Sequence, residues 1–255
     1  MINIFASFYK FFKILLKIFK FRICEKSKNF FTIKILLLIF RSIARHQTLK
    51  KKNLVLKKKF LSKTSFSRED WFSQNYIHWI NAGIKYKLIN KNFNYLELGV
   101  YEGRSAIFII QNFKKAKLTL VDPWKITNSK DLSSYSNKSL ANVYQLFKKS
   151  IKPYRSKVKV YKKTSEEFFL INKKKFDLIY LDACHHKNEV FNDLVGCFHI
   201  SKKKTLIIID DIWKIHNARI KDNVFFGFLE FHFIYKNKYK ILSFYPQLII
   251  IITED

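Results

Sequence analysis

Between Phe176 and Leu181 the chain reads FDLIYL, apolar at all positions but one, and the run ends on Asp182. A central strand of a parallel sheet has this texture because both of its faces are covered. Thr205 to Ile209 (TLIII) repeats the pattern and ends on Asp210 and Asp211. NYLELGV, residues 94–100, reads as another short buried strand, and Lys117 to Val121 (KLTLV) as a fourth, closing on Asp122. Lys157 to Tyr161 (KVKVY) alternates strictly, as an edge-side strand does. Helical periods lie between and around them: YEGRSAIFIIQNF after the first strand, Phe225 to Phe233 near the end, and WFSQNYIHWINAGI from Trp71. The tail, Lys240 to Ser243 and Leu248 to Thr253, reads as two β segments about a Tyr245-Pro246 turn, an antiparallel pair. Strands alternating with helices predict a doubly wound α/β sheet.

The first sixty residues differ. Lys10, Lys13, Lys17 and Lys20 recur at helical steps among Phe11, Phe12, Ile14, Leu15, Leu16, Ile18 and Phe19, which predicts a helix with a Lys stripe and a broad apolar face. A second apolar run, Phe30 to Phe40, is broken by Lys34 and spans 11 residues, well under the ~20 a membrane-spanning helix needs. Neither run precedes a small-residue cleavage site, which argues against a secretory signal. Residues 50–63, with Lys triplets at 50–52 and 57–59, read as a solvated linker. The expected division is a basic amphipathic arm and linker over 1–64 and a catalytic domain over 65–255. Ser129 to Tyr144 is polar and rich in Ser and Asn, and reads as a lid or substrate loop.

Composition limits the function classes. A chain of 255 residues, 48% hydrophobic and 17% aromatic, is neither disordered nor fibrous. Its three cysteines, at 24, 184 and 197, form no CxxC pair, which argues against a disulfide scaffold or zinc ribbon and suits a reducing compartment. Cys24 and Cys197 read as small apolar residues. Net charge is +30: +16 in residues 1–64, where Glu25 is the one acid, and +14 beyond. That balance suits a polyanion or an anionic membrane. Yet seven of the 49 basic residues are Arg, and base-reading surfaces favour Arg forks. A composition heavy in Lys, Ile, Phe and Asn fits an AT-rich coding sequence. The arm is left with two readings: a helix on an anionic membrane or partner, or a cover for the catalytic domain.

Candidate chemistry begins at Glu97-x-Gly99-x-x-x-Gly103. Two of five glycines fall in one strand-to-helix turn, where the absence of Cβ permits a tight turn and a close ligand. Asp122 follows Gly99 by 23 residues, close to the ~20 of an acid that grips a ribose at the end of a second strand. The turn lacks the third glycine of a dinucleotide fingerprint and the Gly-Lys-Ser/Thr of a P-loop. The missing phosphate cradle points to a nucleoside ligand without a pyrophosphate; the structural alternative is a plain βα turn. Asp182, Asp210 and Asp211 should converge at the same sheet edge. Such carboxylates need protons, basic neighbours or a hard cation. Their structural alternative is helix capping and turn formation. His185 at this rim is a candidate base at neutral pH; Cys184 has no activating partner in the sequence.

Taken together, YLELGVYEGRSA, LTLVDPW, FDLIYLDACHH and LIIIDDIW resemble the class I methyltransferases that use S-adenosylmethionine. The nearest look-alikes are small-molecule O-methyltransferases of the catechol and macrolide- or aminocoumarin-sugar type. The resemblance covers roughly residues 71–252. It implies a Rossmann-like, seven-stranded, mostly parallel sheet, preceded here by the basic helical arm. It implies S-adenosylmethionine held by Glu97, Asp122 and the turn from Gly99 through Tyr101 to Gly103, with Ser165 at the adenine. It implies Mg²⁺ at Asp182, Asp210 and Asp211, and His185 as the base. It also implies a small hydroxylated acceptor such as a sugar and a cytoplasmic chain, peripheral to the inner membrane face if residues 1–40 touch lipid; a homo-oligomer is compatible with it. RNA methylation is the alternative substrate class, disfavoured by the absence of an Arg cluster or an aromatic platform. A membrane-surface protein with a vestigial pocket is the non-enzymatic one. Ala183 stands where relatives often carry Gly, and Asp210-Asp211 matches the sugar type rather than the Asp-Asn of the catechol type.

Overall fold

The computed structural model describes residues 2–22, 25–61, 66, 70–126 and 136–254. Three helices lead: α1 (Ile2–Phe21), α2 (Glu25–Phe30) and α3 (Ile33–Leu61). The remainder alternates as expected. It runs α4 (Tyr76–Lys85), β1 (Phe93–Leu98), α5 (Arg104–Asn112), β2 (Ala116–Val121), α6 (Asn137–Ile151), β3 (Val158–Tyr161), α7 (Ser165–Ile171), β4 (Phe176–Leu181), α8 (Lys187–His199), β5 (Ser201–Ile209), α9 (Val224–Tyr235), β6 (Tyr239–Ser243) and β7 (Leu248–Ile252).

The seven strands form one sheet in the order β3-β2-β1-β4-β5-β7-β6. The first five are parallel; β7 runs antiparallel to both β5 and β6. This is the expected Rossmann-like sheet with its closing antiparallel pair. Its register does the positioning. Leu98 pairs with Val121 and with Leu181, Val121 with Tyr161, and Leu181 with Ile209, so the parallel strands end level. Gly99, Asp122, Asp182 and Asp210 therefore leave one edge side by side, each donating its N–H to the last carbonyl of the neighbouring strand. The order reverses between β1 and β4, which opens a crevice at that edge.

Alternate side chains fill two cores. Leu96, Leu98, Ile179, Leu181, Ile207 and Ile209 face one, with α8 and α9; Tyr95, Leu178, Tyr180, Leu206 and Ile208 face the other, with α4 and α5. The arm belongs to the first core. Ile14, Ile18, Phe21, Ile39 and Ile43 are buried in the cluster that holds Phe225 and Phe244. Phe21 stacks on Phe225 with centroids 4.8 Å apart, and Phe244 N–H donates to Ser42 Oγ at 3.1 Å. Of the arm's two readings, this inner face is the cover.

Two expectations need correction. Residues 50–61 are the last three turns of α3 rather than a solvated linker. Asn53, Leu56 and Phe60 recur on one helical face. Asn53 bridges Ser73 O and Ile77 N at 2.8 Å each, and Phe60 packs edge-on to Tyr76. Five of the six lysines at 50–52 and 57–59 are exposed and hide this period, while Lys57 turns inward to Asp70 at 2.7 Å. In the polar stretch 129–144, residues 137–144 are the first turns of α6, started by a Ser136/Ser139 capping box; residues 129–135 lie outside the described residues, as does Cys24.

Candidate active site

The level strand ends line a cavity of about 1280 Å³, larger than the ~300–1,000 Å³ of an ordinary ligand pocket and roomy enough for a cofactor and an acceptor together. Gly99, Tyr101, Asp122, Ser165, Asp182, His185, Asp210 and Asp211, all singled out in the sequence, line it.

At its centre the turn after β1 is locked by β2. Asp122 Oδ2 accepts the N–H groups of Val100 and Tyr101 at 2.8 and 2.9 Å, and Oδ1 accepts Trp124 N–H at 2.6 Å. Burial raises the Asp122 pKa against these three bonds. Gly99 and Gly103 sit at φ +84° and +83°. A Cβ on Gly99 would lie 2.0 Å from the Asp182 carbonyl oxygen. The approach that requires glycine there is β4 backbone, where sequence reasoning expected a ligand. At Gly103 the obstacle is the Phe147 ring, 2.8 Å away. Gly103 also caps the start of α5.

Glu97 lies beneath the site. It is fully buried under the turn, outside the cavity lining, and accepts hydroxyl donors from Tyr95 at 2.8 Å and from Ser105. Burial pushes its pKa up to about 8 although both hydrogen bonds oppose this. Ser165 opens α7 beside the cavity and bonds Asp193, a buried carboxyl that lines it and is pushed up to about 7 by burial.

Across the crevice the three aspartates have different surroundings. Asp210 Oδ2 accepts Tyr180 OH at 2.5 Å and Gln247 Nε2 at 2.8 Å, and Oδ1 accepts the Asp211 N–H at 2.7 Å. Burial, and then the charges of Asp182 and Asp211, push its pKa up. Asp211 stays low: burial opposes this, but the hydrogen bond from His216, the charge of His185 and the Lys214 ammonium prevail. His216 Nε2 lies 2.8 Å from Asp211 Oδ2, and Lys214 Nζ 2.7 Å from Oδ1. Asp211 adopts φ +53°, a left-handed backbone conformation that aims it into this group. His185 stacks on His216 with centroids 4.0 Å apart, its Nε2 3.4 Å from Asp211 Oδ2 and 3.6 Å from Asp182 Oδ1. His186 instead pairs with Glu189 at 2.8 Å. Half-buried Cys184 lines the cavity and Cys197 is buried.

Sequence reasoning missed His216, Lys214 and Asp193. His216 and Lys214 lie within five residues of Asp211 and could have been read from that proximity; Asp193 sits in a helix with several other polar residues and gave no such signal.

Known proteins bear on the site at this point. Residues 96–212 match a family model described as a methyltransferase domain. An SAH-bound methyltransferase from Podospora anserina shares the fold at TM-score 0.51, 15% identity, over 80% of this chain and 88% of its own. An O-methyltransferase from Bacillus cereus, in complex with SAH, does so at 0.50 and 14%, over 83% and 97%. MycE, from the mycinamycin biosynthetic pathway and in complex with Mg, SAH and mycinamycin VI, does so at 0.51 and 15%, over 79% and 54%. No curated protein matches in sequence. The fold is the one that these solved methyltransferases share. The likeness to methyltransferases is one of domain sequence over residues 96–212 and of fold over the chain.

Proposed function

We propose that the domain moves the methyl group of S-adenosylmethionine to a hydroxyl oxygen of a small acceptor such as a sugar. The observation that carries this reading is the single cavity in which the Asp122-clamped glycine turn faces the Asp182–His185–Asp211 group. In this reading the turn from Gly99 through Tyr101 to Gly103 lies beneath the methionine portion, Asp122 grips the ribose, and Ser165 with Asp193 meets the adenine. Glu97 acts from below, fixing the turn through Ser105.

The acceptor oxygen attacks in line: the new bond is O–CH₃, the breaking bond is S–CH₃, and the sulfonium becomes a neutral thioether. Charge disappears in that step, so the enzyme's contribution is alignment and removal of the acceptor proton. His185 receives that proton, and Asp182 and Asp211 stabilise the imidazolium that results.

Mg²⁺ at Asp182, Asp210 and Asp211 does not fit this donor set. The Tyr180 hydroxyl already bridges two of these carboxylates, 3.0 Å from Asp182 Oδ2 and 2.5 Å from Asp210 Oδ2. The donors that converge within 4.8 Å among the described residues are His185, Asp211 and His216. Such a mixed nitrogen and oxygen set suits a borderline transition ion, whereas Mg²⁺ prefers oxygen.

An anionic membrane is the partner most consistent with the arm, and no described helix is long and apolar enough to cross one. Calorimetry against S-adenosylmethionine and its demethylated product tests the reading. Binding of both at micromolar concentration supports it, and a folded sample silent toward both ends it.

A further inference from the structure

The outward face of α1 has a composition unusual for an exposed helix. Phe5, Phe8, Tyr9, Phe12, Leu16 and Phe19 are between 52% and 79% exposed. At 3.6 residues per turn they fall within one arc of about 100°, opposite the buried Ile14, Ile18 and Phe21. Lys13 and Lys20 follow the arc on one side and Arg22 on the other; all three are exposed, and α1 contains no acid. On α3, exposed Ile33 and Leu37 are interleaved with exposed Lys34 and Arg41. Contiguous exposed apolar surface marks an interaction site rather than ordinary solvent contact. Aromatic residues flanked by cations fit one environment, the headgroup layer of an anionic bilayer. There the rings enter the acyl boundary and the ammonium groups meet lipid phosphates.

The same helix is fastened to the active site. Lys17 Nζ donates to Trp213 O at 2.6 Å, and Phe21 stacks on the Trp213 ring at 6.3 Å and 8°. Trp213 lies on the short segment that carries Asp211, Lys214 and His216 into the cavity. With a helix only ~10–12 Å across, a face resting in headgroups holds that cavity rim within one helix diameter of the lipid.

We propose that α1 seats the protein in the surface of an anionic membrane through its Phe5–Phe19 face, and that the acceptor is the hydroxylated headgroup of a membrane-anchored amphiphile. The acceptor half rests on the methyltransferase reading; the seating does not.

The test uses the full chain and co-sedimentation with phosphatidylglycerol-containing vesicles against phosphatidylcholine vesicles. The unaltered chain should pellet with the former. Phe12→Glu with Phe19→Glu should weaken that binding by about tenfold or more, and Lys13→Glu with Lys20→Glu should remove the preference for anionic lipid. Both variants change exposed positions, so calorimetric affinity for S-adenosylhomocysteine should stay at the parent value. Unchanged vesicle binding in the Phe variant overturns the seating. So does a dimer that the same variant dissociates in a chain indifferent to vesicles, because a second copy then covers the face. For the acceptor, label from methyl-tritiated S-adenosylmethionine should enter the organic phase when vesicles of bacterial polar lipid extract are supplied. Label confined to the aqueous phase, or found in neither, overturns the acceptor class. Absence of S-adenosylhomocysteine binding by the unaltered chain removes the methyltransferase reading alone and leaves the vesicle result to stand or fall by itself.

Discussion

Asp122 Oδ2 accepts the backbone N–H of Tyr101 at 2.9 Å, across a sequence separation of 21 residues. This bond and its companion to Val100 tie the end of β2 to the turn after β1. The carboxylate that would grip a ribose also sets the shape of the cradle. Asp122→Asn puts an amide where donors already converge, so it should cost about 1–3 kcal/mol of stability and at least about tenfold in S-adenosylhomocysteine affinity. Urea denaturation beside calorimetry checks both. Unchanged affinity would remove Asp122 from the cofactor site.

The two glycines of the turn should respond unequally to substitution. Gly99→Ala forces a Cβ onto the Asp182 carbonyl at positive φ, where backbone strain alone costs about 1–3 kcal/mol and β4 cannot yield. It should fail to fold or lose most of its denaturation midpoint. Gly103→Ala meets a phenyl ring that can rotate, and should lose about 1–2 kcal/mol. Equal midpoints would show that the Asp182 approach is not the constraint.

Proton removal depends on the His185–Asp211–His216 group. Asp211→Asn should lower turnover by a factor on the order of 10² while leaving S-adenosylhomocysteine affinity at the parent value. A chelator should leave turnover unchanged. Added Zn²⁺ should inhibit by occupying the imidazole that takes the proton, and His216→Ala should relieve that inhibition. Steady-state rates with and without chelator decide between these roles; activity abolished by chelation and restored by Mg²⁺ would return the metal to the three aspartates.

The arm should loosen in acid. His46 on α3 and His78 on α4 lie 2.8 Å apart and stack. Burial first, then neighbouring positive charge, lowers them to about 4 and about 3. Both are thus neutral when folded, and the unfolded chain binds protons below about pH 6.5 while the folded one does not. Their contribution is complete above that pH and is lost as pH falls toward about 4. Thermal midpoints across this range should drop more steeply in the parent than in a His46→Gln, His78→Gln variant.

How much of this was legible depended on the type of signal. FDLIYL and TLIII, apolar on both faces, located β4 and β5 and thereby Asp182, Asp210 and Asp211. The Gly99–Gly103 spacing located the cradle. Helix α3 was misread beyond residue 50 because its inward positions, half-buried Asn53 and Leu56 and buried Phe60, are too few to outweigh six lysines in a local pattern. Glu97 was misplaced because its spacing cannot show that a buried strand residue turns toward Ser105 instead of the cavity. The donor that Gln247 supplies to Asp210, from 37 residues on, was not visible in the sequence. Pairings over that range carry no local periodicity.

The attachment of α1 also bears on how the chain is made. Lys17 reaches Trp213 and Ser42 reaches Phe244 across 196 and 202 residues. At ~5–20 residues per second of synthesis, α1 waits on the order of ten to forty seconds after its own synthesis for its binding surface to exist. For that interval both of its oily sides are bare. A nascent chain with such an order of assembly needs a chaperone or a nearby lipid surface to shelter it, and slowing translation near its end should increase aggregation more than slowing it near its start.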